Sequence, residues 1–343
     1  MVKEQIRTKV EAVMAEKKIA GLSVAITDRE KILFAEGFGV ESVERPEVSN
    51  EAGAIYRIAS ITKVITSIII LRLAEQGKLT LDSLVKQYVP WLKLSNPEAE
   101  QQLTIRHLLT HTGGFRTEGY LQEGSRDESS IENALRQALP LTPMDTLPAD
   151  RVYQYSNIAY DLLGHIASVV TGKPISQLAS ELVLTPLGMD RTTFDFYVAA
   201  TYPLSFPHAH DKTGNLKVVH RQRANTMFSA CGGLYSNAFD LCKLARFFLN
   251  EGEQLLRRES FADMTSKHMA NRTRLGDFYG LGVQLHKYTD RYLLGHTGNY
   301  DPYNTCVFAD PKTGYGVAVL INTDAVGVPL SIAEMIFDLL GEK

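Results

Sequence analysis

Apolar residues recur at Ile6, Val10, Val13 and Met14 with charged residues between them, so Met1–Lys18 reads as an amphipathic helix. The period then changes. Gly21–Thr27 and Ile32–Gly39 are apolar, alternating runs separated by Asp28-Arg29-Glu30-Lys31, the pattern of two strands joined by a hairpin turn. From Val64 to Ala74 the chain is apolar nearly all round, which marks a buried helix. Helical spacing returns at Leu103–His111, Ser129–Leu139, Ser156–Thr171 and Ser176–Leu184, and Gly or Pro stops each run. Beyond about residue 220 a helix at Asn237–Asn250 leads into short strands. These are Gly280–Lys287, Arg291–Gly295, Thr305–Ala309 and Gly316–Asn322, with a turn at Asp310–Gly314 and a closing amphipathic helix at Ser331–Leu340.

Strands at both ends with helices between predict an α+β fold. One sheet is assembled from residues 1–78 and 220–343, and residues 79–219 form a mostly helical insertion. Composition adds few constraints. An apolar share of 44% and a charged share of 22% over 343 residues describe an ordinary globular chain. The net charge of −3 is spread along it, which argues against nucleic acid or a membrane surface as partner. The longest apolar run, Val64–Leu71, is far too short to span a bilayer. The N-terminal helix lacks the apolar stretch of a secretory signal. Cys231, Cys242 and Cys306 form no Cys-x-x-Cys pair and read as core thiols. The expectation from these features is a cytoplasmic protein.

The chemistry-bearing stretch is Ser60-Ile-Thr-Lys63 at the mouth of the buried helix. A serine there lies near free backbone N–H groups and the positive end of the helix dipole. Lys63 follows one turn on, so its amine shares a face with the hydroxyl. Two further patterns accompany it. Tyr155-Ser156-Asn157 precedes the Ser156–Thr171 helix, and His296-Thr297-Gly298 follows the strand Arg291–Gly295. His111-Thr112-Gly113 repeats the last tripeptide, but it ends a helix at Gly-Gly and reads as structural.

With these three motifs in this order, the chain resembles the serine β-lactamase and penicillin-binding-protein family, in its class C-like branch of esterases, D-aminopeptidases and D,D-peptidases. Leu-Ala-Glu-Gln-Gly-Lys-Leu79, His-Leu-Leu-Thr-His-Thr-Gly-Gly114, Tyr-Asp-Leu-Leu-Gly164, Pro-Leu-Gly-Met189 and Cys-Gly-Gly-Leu-Tyr235 resemble family segments as well. The resemblance implies an antiparallel sheet flanked by helices, a helical domain, and an active site in the cleft between them. It implies a serine hydrolase that forms a covalent acyl-enzyme on small esters, amides or short D-amino-acid peptides, with no cofactor. It also implies an oxyanion pocket made by the N–H groups of Ser60 and Asn299. Two other readings share the same residues: an acyltransferase or transpeptidase, and a non-catalytic penicillin-binding-like regulatory protein.

A lysine with a reference pKa of ~10.4 is rarely neutral at pH 7. The base is therefore assigned to the Lys63–Tyr155 pair, which titrates as a unit. Asn157 would hold an amide or ester group of the substrate. His296 and Thr297 stand where β-lactamases usually carry Lys and Thr, so His296 removes a permanent cation. That favours uncharged esters, or amides with a free amino end, over carboxylate-bearing β-lactams. After Gly298 the run Asn299-Tyr300-Asp301-Pro302-Tyr303 is expected to narrow the acyl pocket with two tyrosines. His208-Ala-His210-Asp211 lies in a hairpin without ligand-type partners and is not read as a metal site. His107 and His165 read as core or supporting groups.

Overall fold

The computed structural model describes residues 2–116, 130–149, 152–220, 229–252, 255–271 and 276–341. Its strands in chain order are β1 (Gly21–Thr27), β2 (Ile32–Gly39), β3 (Tyr56–Arg57), β4 (His208–His210), β5 (Leu216–Val218) and β6 (Tyr235–Ser236), followed by β7 (Met269–Ala270), β8 (Phe278–Tyr279), β9 (Gln284–Tyr288), β10 (Arg291–Tyr300), β11 (Tyr303–Asp310) and β12 (Tyr315–Ile321). Eight of them form one antiparallel sheet in the order β2-β1-β12-β11-β10-β9-β8-β7. Pairing of β1 with β12, Val24 opposite Val319, joins the two ends of the chain. The small pairs β3–β6 and β4–β5 lie apart from it.

The period of two along each strand sorts its side chains onto two cores. Leu22, Val24 and Ile26 of β1, Val317, Val319 and Ile321 of β12, and Cys306 and Phe308 of β11 face the Val2–Lys17 and Val328–Gly341 helices. Ala25, Val307, Ala309, Ala318 and Leu320 face the other way, into a larger core. That core takes in the Ala238–Leu249 helix and the Thr62–Glu75 helix. It continues through the Asn157–Thr171 helix and the shorter helices around it. Eleven residues of Thr62–Glu75 are buried, Lys63 among them. No helix among the described residues is long and apolar enough to cross a membrane.

The apolar run 280–287 does not form one strand. Only its second half, from Gln284, is strand (β9); β8 ends before it at Tyr279, and Gly282 between the two has φ +78° with its Cα pressed on the Thr62–Glu75 helix. A Cβ at Gly282 would lie 1.8 Å from the Ser67 oxygen, so glycine alone fits the crossing. In the opposite sense, β10 extends past Gly295 to Tyr300, because Gly298, Asn299 and Tyr300 pair with Thr305, Asn304 and Tyr303 of β11. The third motif therefore lies within a strand rather than after one. The Ser129–Leu139 helix is described from Ser130; the residues 117–129 before it lie outside the described set.

Candidate active site

Three segments converge where β10 leaves its partner β9. The first carries Ser60, in the short 3-10 turn Ala59–Ile61 that runs straight into Thr62–Glu75. Ala59 just before it has φ +49°, a left-handed conformation costing a non-glycine residue on the order of 1 kcal/mol. That sharp turn sets Ser60 half-exposed at the top of a buried helix.

Lys63 is fully buried, and its Nζ meets three oxygens. They are Ser60 Oγ at 3.1 Å, Asn157 Oδ1 at 2.8 Å and the Cys231 carbonyl at 2.8 Å. The two carbonyl-type oxygens can only accept, so two amine hydrogens are committed to them. The third direction points at Ser60. There an ammonium donates a hydrogen bond, or a neutral amine presents its lone pair to the hydroxyl proton. The frame fits both states of the lysine without rearrangement.

The frame has sequence causes. Asn157 opens the Asn157–Thr171 helix, and the N-cap Ser156 accepts from the Ala159 N–H. The Cys231 carbonyl is held because its neighbours are fastened to the Thr62–Glu75 helix. Thr66 donates to the Ala230 carbonyl at 2.6 Å, and the Leu234 N–H donates to Thr62 Oγ1 at 3.2 Å. Leu234 also accepts from the Ile58 N–H at 2.9 Å, tying this strip to the Ser60 turn. Cys231 thus reaches the site through its backbone, while its thiol is buried, as are Cys242 and Cys306.

Tyr155 sits over the amine, with Lys63 Nζ 4.8 Å from its ring centroid. Its other neighbour is His111. The two ring centroids are 4.3 Å apart, and His111 Nδ1 accepts from the Ser156 N–H at 3.1 Å. His111 does follow a helix end, but the structural reading of it was incomplete: it stacks on Tyr155 and fixes the backbone beside it. Tyr160 and Tyr279 lie within 5.0 Å and 4.8 Å of the same imidazole. Burial, and then the nearby Lys63 charge, hold His111 well below the usual histidine range, so it is neutral. A φ of +57° marks it as unusual, but no feature of the sequence reveals that.

The third segment is the free end of β10. His296 Nδ1 lies 2.5 Å from the Thr297 carbonyl, which can only accept, so the ring proton is on Nδ1. Nε2 then accepts from the Tyr279 hydroxyl at 3.0 Å. Both nitrogens are used, the ring is buried, and its pKa is pushed down to about 3 by burial and then by Lys63. The imidazole is a neutral wall and carries no charge into the cleft. Thr297 donates its N–H to Gln284 Oε1 of β9 at 3.1 Å. Asn299, two residues on, points its N–H to the same edge, where β9 has ended.

Gly298 lets β10 lie against the Ser60 turn. A Cβ there would stand 2.2 Å from the Ile58 carbonyl and 2.3 Å from Thr305 Oγ1. Of the two tyrosines expected to narrow the pocket, Tyr303 does not. Tyr300 stacks on the Arg57 guanidinium at 3.6 Å, whereas Tyr303 turns into the core and donates to the Ser205 carbonyl at 2.7 Å. The remaining histidines are placed elsewhere. His107 closes a capping box with Thr104, His165 packs on Trp91, and His208 Nε2 accepts from the Val43 N–H.

Comparison with known proteins bears on the family and the fold. The family model described as Beta-lactamase matches residues 6–334. The protein flp of Staphylococcus aureus (strain MW2) is 25% identical over 99% of this chain and 67% of its own length. Esterase EstB of Burkholderia gladioli is 27% identical over 93% of this chain and 91% of its own. Among solved structures, the octameric penicillin-binding protein homologue from Pyrococcus abyssi superposes with a TM-score of 0.89 at 28% identity, covering all of this chain and 78% of that one. The D-amino acid amidase from Ochrobactrum anthropi SV3 has the same fold, with a TM-score of 0.84 at 20% identity and coverage of 100% and 99%.

Proposed function

Because the chain belongs to the beta-lactamase family, we propose that it is a metal-independent serine hydrolase that forms an acyl-enzyme on Ser60. The observation that supports this best is the Lys63 frame. A buried amine with two of its hydrogens committed leaves its third direction for the Ser60 hydroxyl.

In this reading a substrate carbonyl carbon bonds to Ser60 Oγ. The hydroxyl proton passes to the Lys63–Tyr155 pair. The carbonyl oxygen becomes an oxyanion between the N–H groups of Ser60 and Asn299, each worth roughly 10²–10³ in rate. Tyr155, above the amine, returns the proton to the leaving alcohol or amine as that bond breaks. Water then attacks the ester carbon, giving up its proton to the same pair, which returns it to Ser60 Oγ as the acyl–Oγ bond breaks and the acid product leaves.

The substrates follow from the walls. A neutral, fully bonded His296 offers no anchor for a carboxylate, and the Tyr300–Arg57 stack limits bulk at one end. Small uncharged esters, or amides of D-amino acids, fit that cleft better than penicillins. An esterase relative is in keeping with this choice.

The test is intact-protein mass spectrometry after exposure to short aryl esters, D-amino-acid amides and a penicillin. The expected result is one acyl adduct, largest with the esters, absent in Ser60→Ala while that variant stays folded. An adduct that persists in Ser60→Ala, or maps to another serine, refutes the assignment.

A further inference from the structure

The Asn157–Thr171 helix brings a second group to the lysine that the acylation scheme does not use. Asp161 lies one turn beyond Asn157 and is 1% exposed. Its Oδ1 accepts the Cys231 N–H at 3.1 Å, while the carbonyl of the same residue accepts from Lys63 Nζ at 2.8 Å. A buried carboxylate and a buried amine are thus linked through one residue's backbone. Asn157 and Asp161 on one helix face hold the amine twice, directly and through Cys231.

We propose that Asp161 is a positioning residue and the buried countercharge for Lys63. It aims the Cys231 carbonyl at Nζ and biases the Lys63–Tyr155 pair toward the ammonium form. A negative charge one peptide away from the amine favours its protonated form. Removal of a proton from the pair, which acylation requires, becomes harder at low pH.

Among the described residues, the other ionisable groups around this unit do not supply such a countercharge. Arg57 is cationic, and Tyr155 and Tyr160 present ring faces to Nζ at 4.8 Å and 5.5 Å. His111 and His296 are neutral by burial. The Cys231 thiol is pushed well above its usual value, by burial first and then by Asp161, so it stays protonated.

The inference rests on the hydrolase reading, and the test separates the two. The pH profile of kcat/KM with a neutral aryl ester is measured for the native protein and for Asp161→Asn. Asparagine keeps an oxygen for the Cys231 N–H and drops the charge. The acid limb is expected to move to lower pH by roughly one to two units, the size of a Coulomb interaction across one peptide at an effective dielectric near ~20. Asp161→Glu, which keeps the charge, should hold the limb close to its native place with a lower kcat. An unmoved limb in folded Asp161→Asn overturns the proposal. If that variant does not fold, Asp161→Ser carries the same expectation. Failure of both to fold overturns the proposal too, since the carboxylate is then a structural requirement. No turnover by the native protein at any pH sinks the hydrolase reading itself, whatever Asp161 does.

Discussion

His296 shows how one side chain is repurposed by its surroundings. In water an imidazole is half-protonated near pH ~6.5. Here it is buried, donates to the Thr297 carbonyl, accepts from Tyr279 and lies near Lys63, and its pKa falls to about 3. The linkage sign follows. Above pH ~6.5 both folded and unfolded rings are neutral and stability is unaffected. Between pH ~6.5 and about 3 the unfolded chain binds a proton that the folded ring refuses, so stability falls as pH falls. His111 acts in the same direction. At pH 5 the His296 contribution alone is about 2 kcal/mol. Denaturant unfolding between pH 4 and 8 should show stability rising with pH, with a shallower slope in His296→Gln. A slope equal to the native one would mean that the buried ring does not carry this penalty.

At the scale of elements, the decisive contact is between β10 and the Ser60 turn. Thr305 Oγ1 donates to the Ile58 carbonyl at 3.2 Å, and Gly298 lets that carbonyl lie against β10 with no side chain between. Ile58 is two residues before Ser60, so in the proposed scheme the spacing of two backbone segments sets how the Ser60 and Asn299 N–H groups stand to one another. Gly298→Ala forces them apart by an ångström or so. Its expected effect is a loss of ~10²-fold or more in kcat/KM, as misplacements of that size produce, with a cooperative thermal transition retained. Ester kinetics and circular-dichroism melting together decide it. A variant with native kcat/KM would show that the two donors do not work as a pair.

On the scale of the whole molecule, the C-terminal helix is pinned to the sheet by a buried histidine. His286 of β9 places Nδ1 3.1 Å from Asp277 Oδ2 and Nε2 2.9 Å from Glu334 Oε1 of Val328–Gly341. A carboxylate oxygen can accept from either ring nitrogen that carries a proton, so the one ring ties both acids together. Removing it leaves two carboxylates facing a buried gap. His286→Ala is expected to cost about 2–4 kcal/mol and to lower Tm by several degrees, with kcat/KM unchanged because the clamp lies on the opposite face of the sheet from Ser60. An unaltered Tm would show that the clamp contributes nothing net. An altered kcat/KM would show that the two faces are coupled.

Local chemistry was readable along the chain because it is written in local spacing. The Ser60–Lys63 turn, the N-cap Ser156, strands β1 and β2, and the Asn237-capped helix all follow from period and end signals within a few residues. The order of the three motifs was enough to suggest the family. What the sequence could not carry is contact between distant segments. Nothing near Cys231 says that its carbonyl meets Lys63, or that Asp161 holds the other end of that residue's backbone. Tyr300 and Tyr303 look equivalent in sequence, yet the hairpin pairing sends one to the Arg57 stack and the other into the core. Likewise His111 and His296 head the same tripeptide. Only packing makes the first a stacking partner of Tyr155 and the second a neutral wall, because burial and hydrogen-bond partners are properties of the folded neighbourhood.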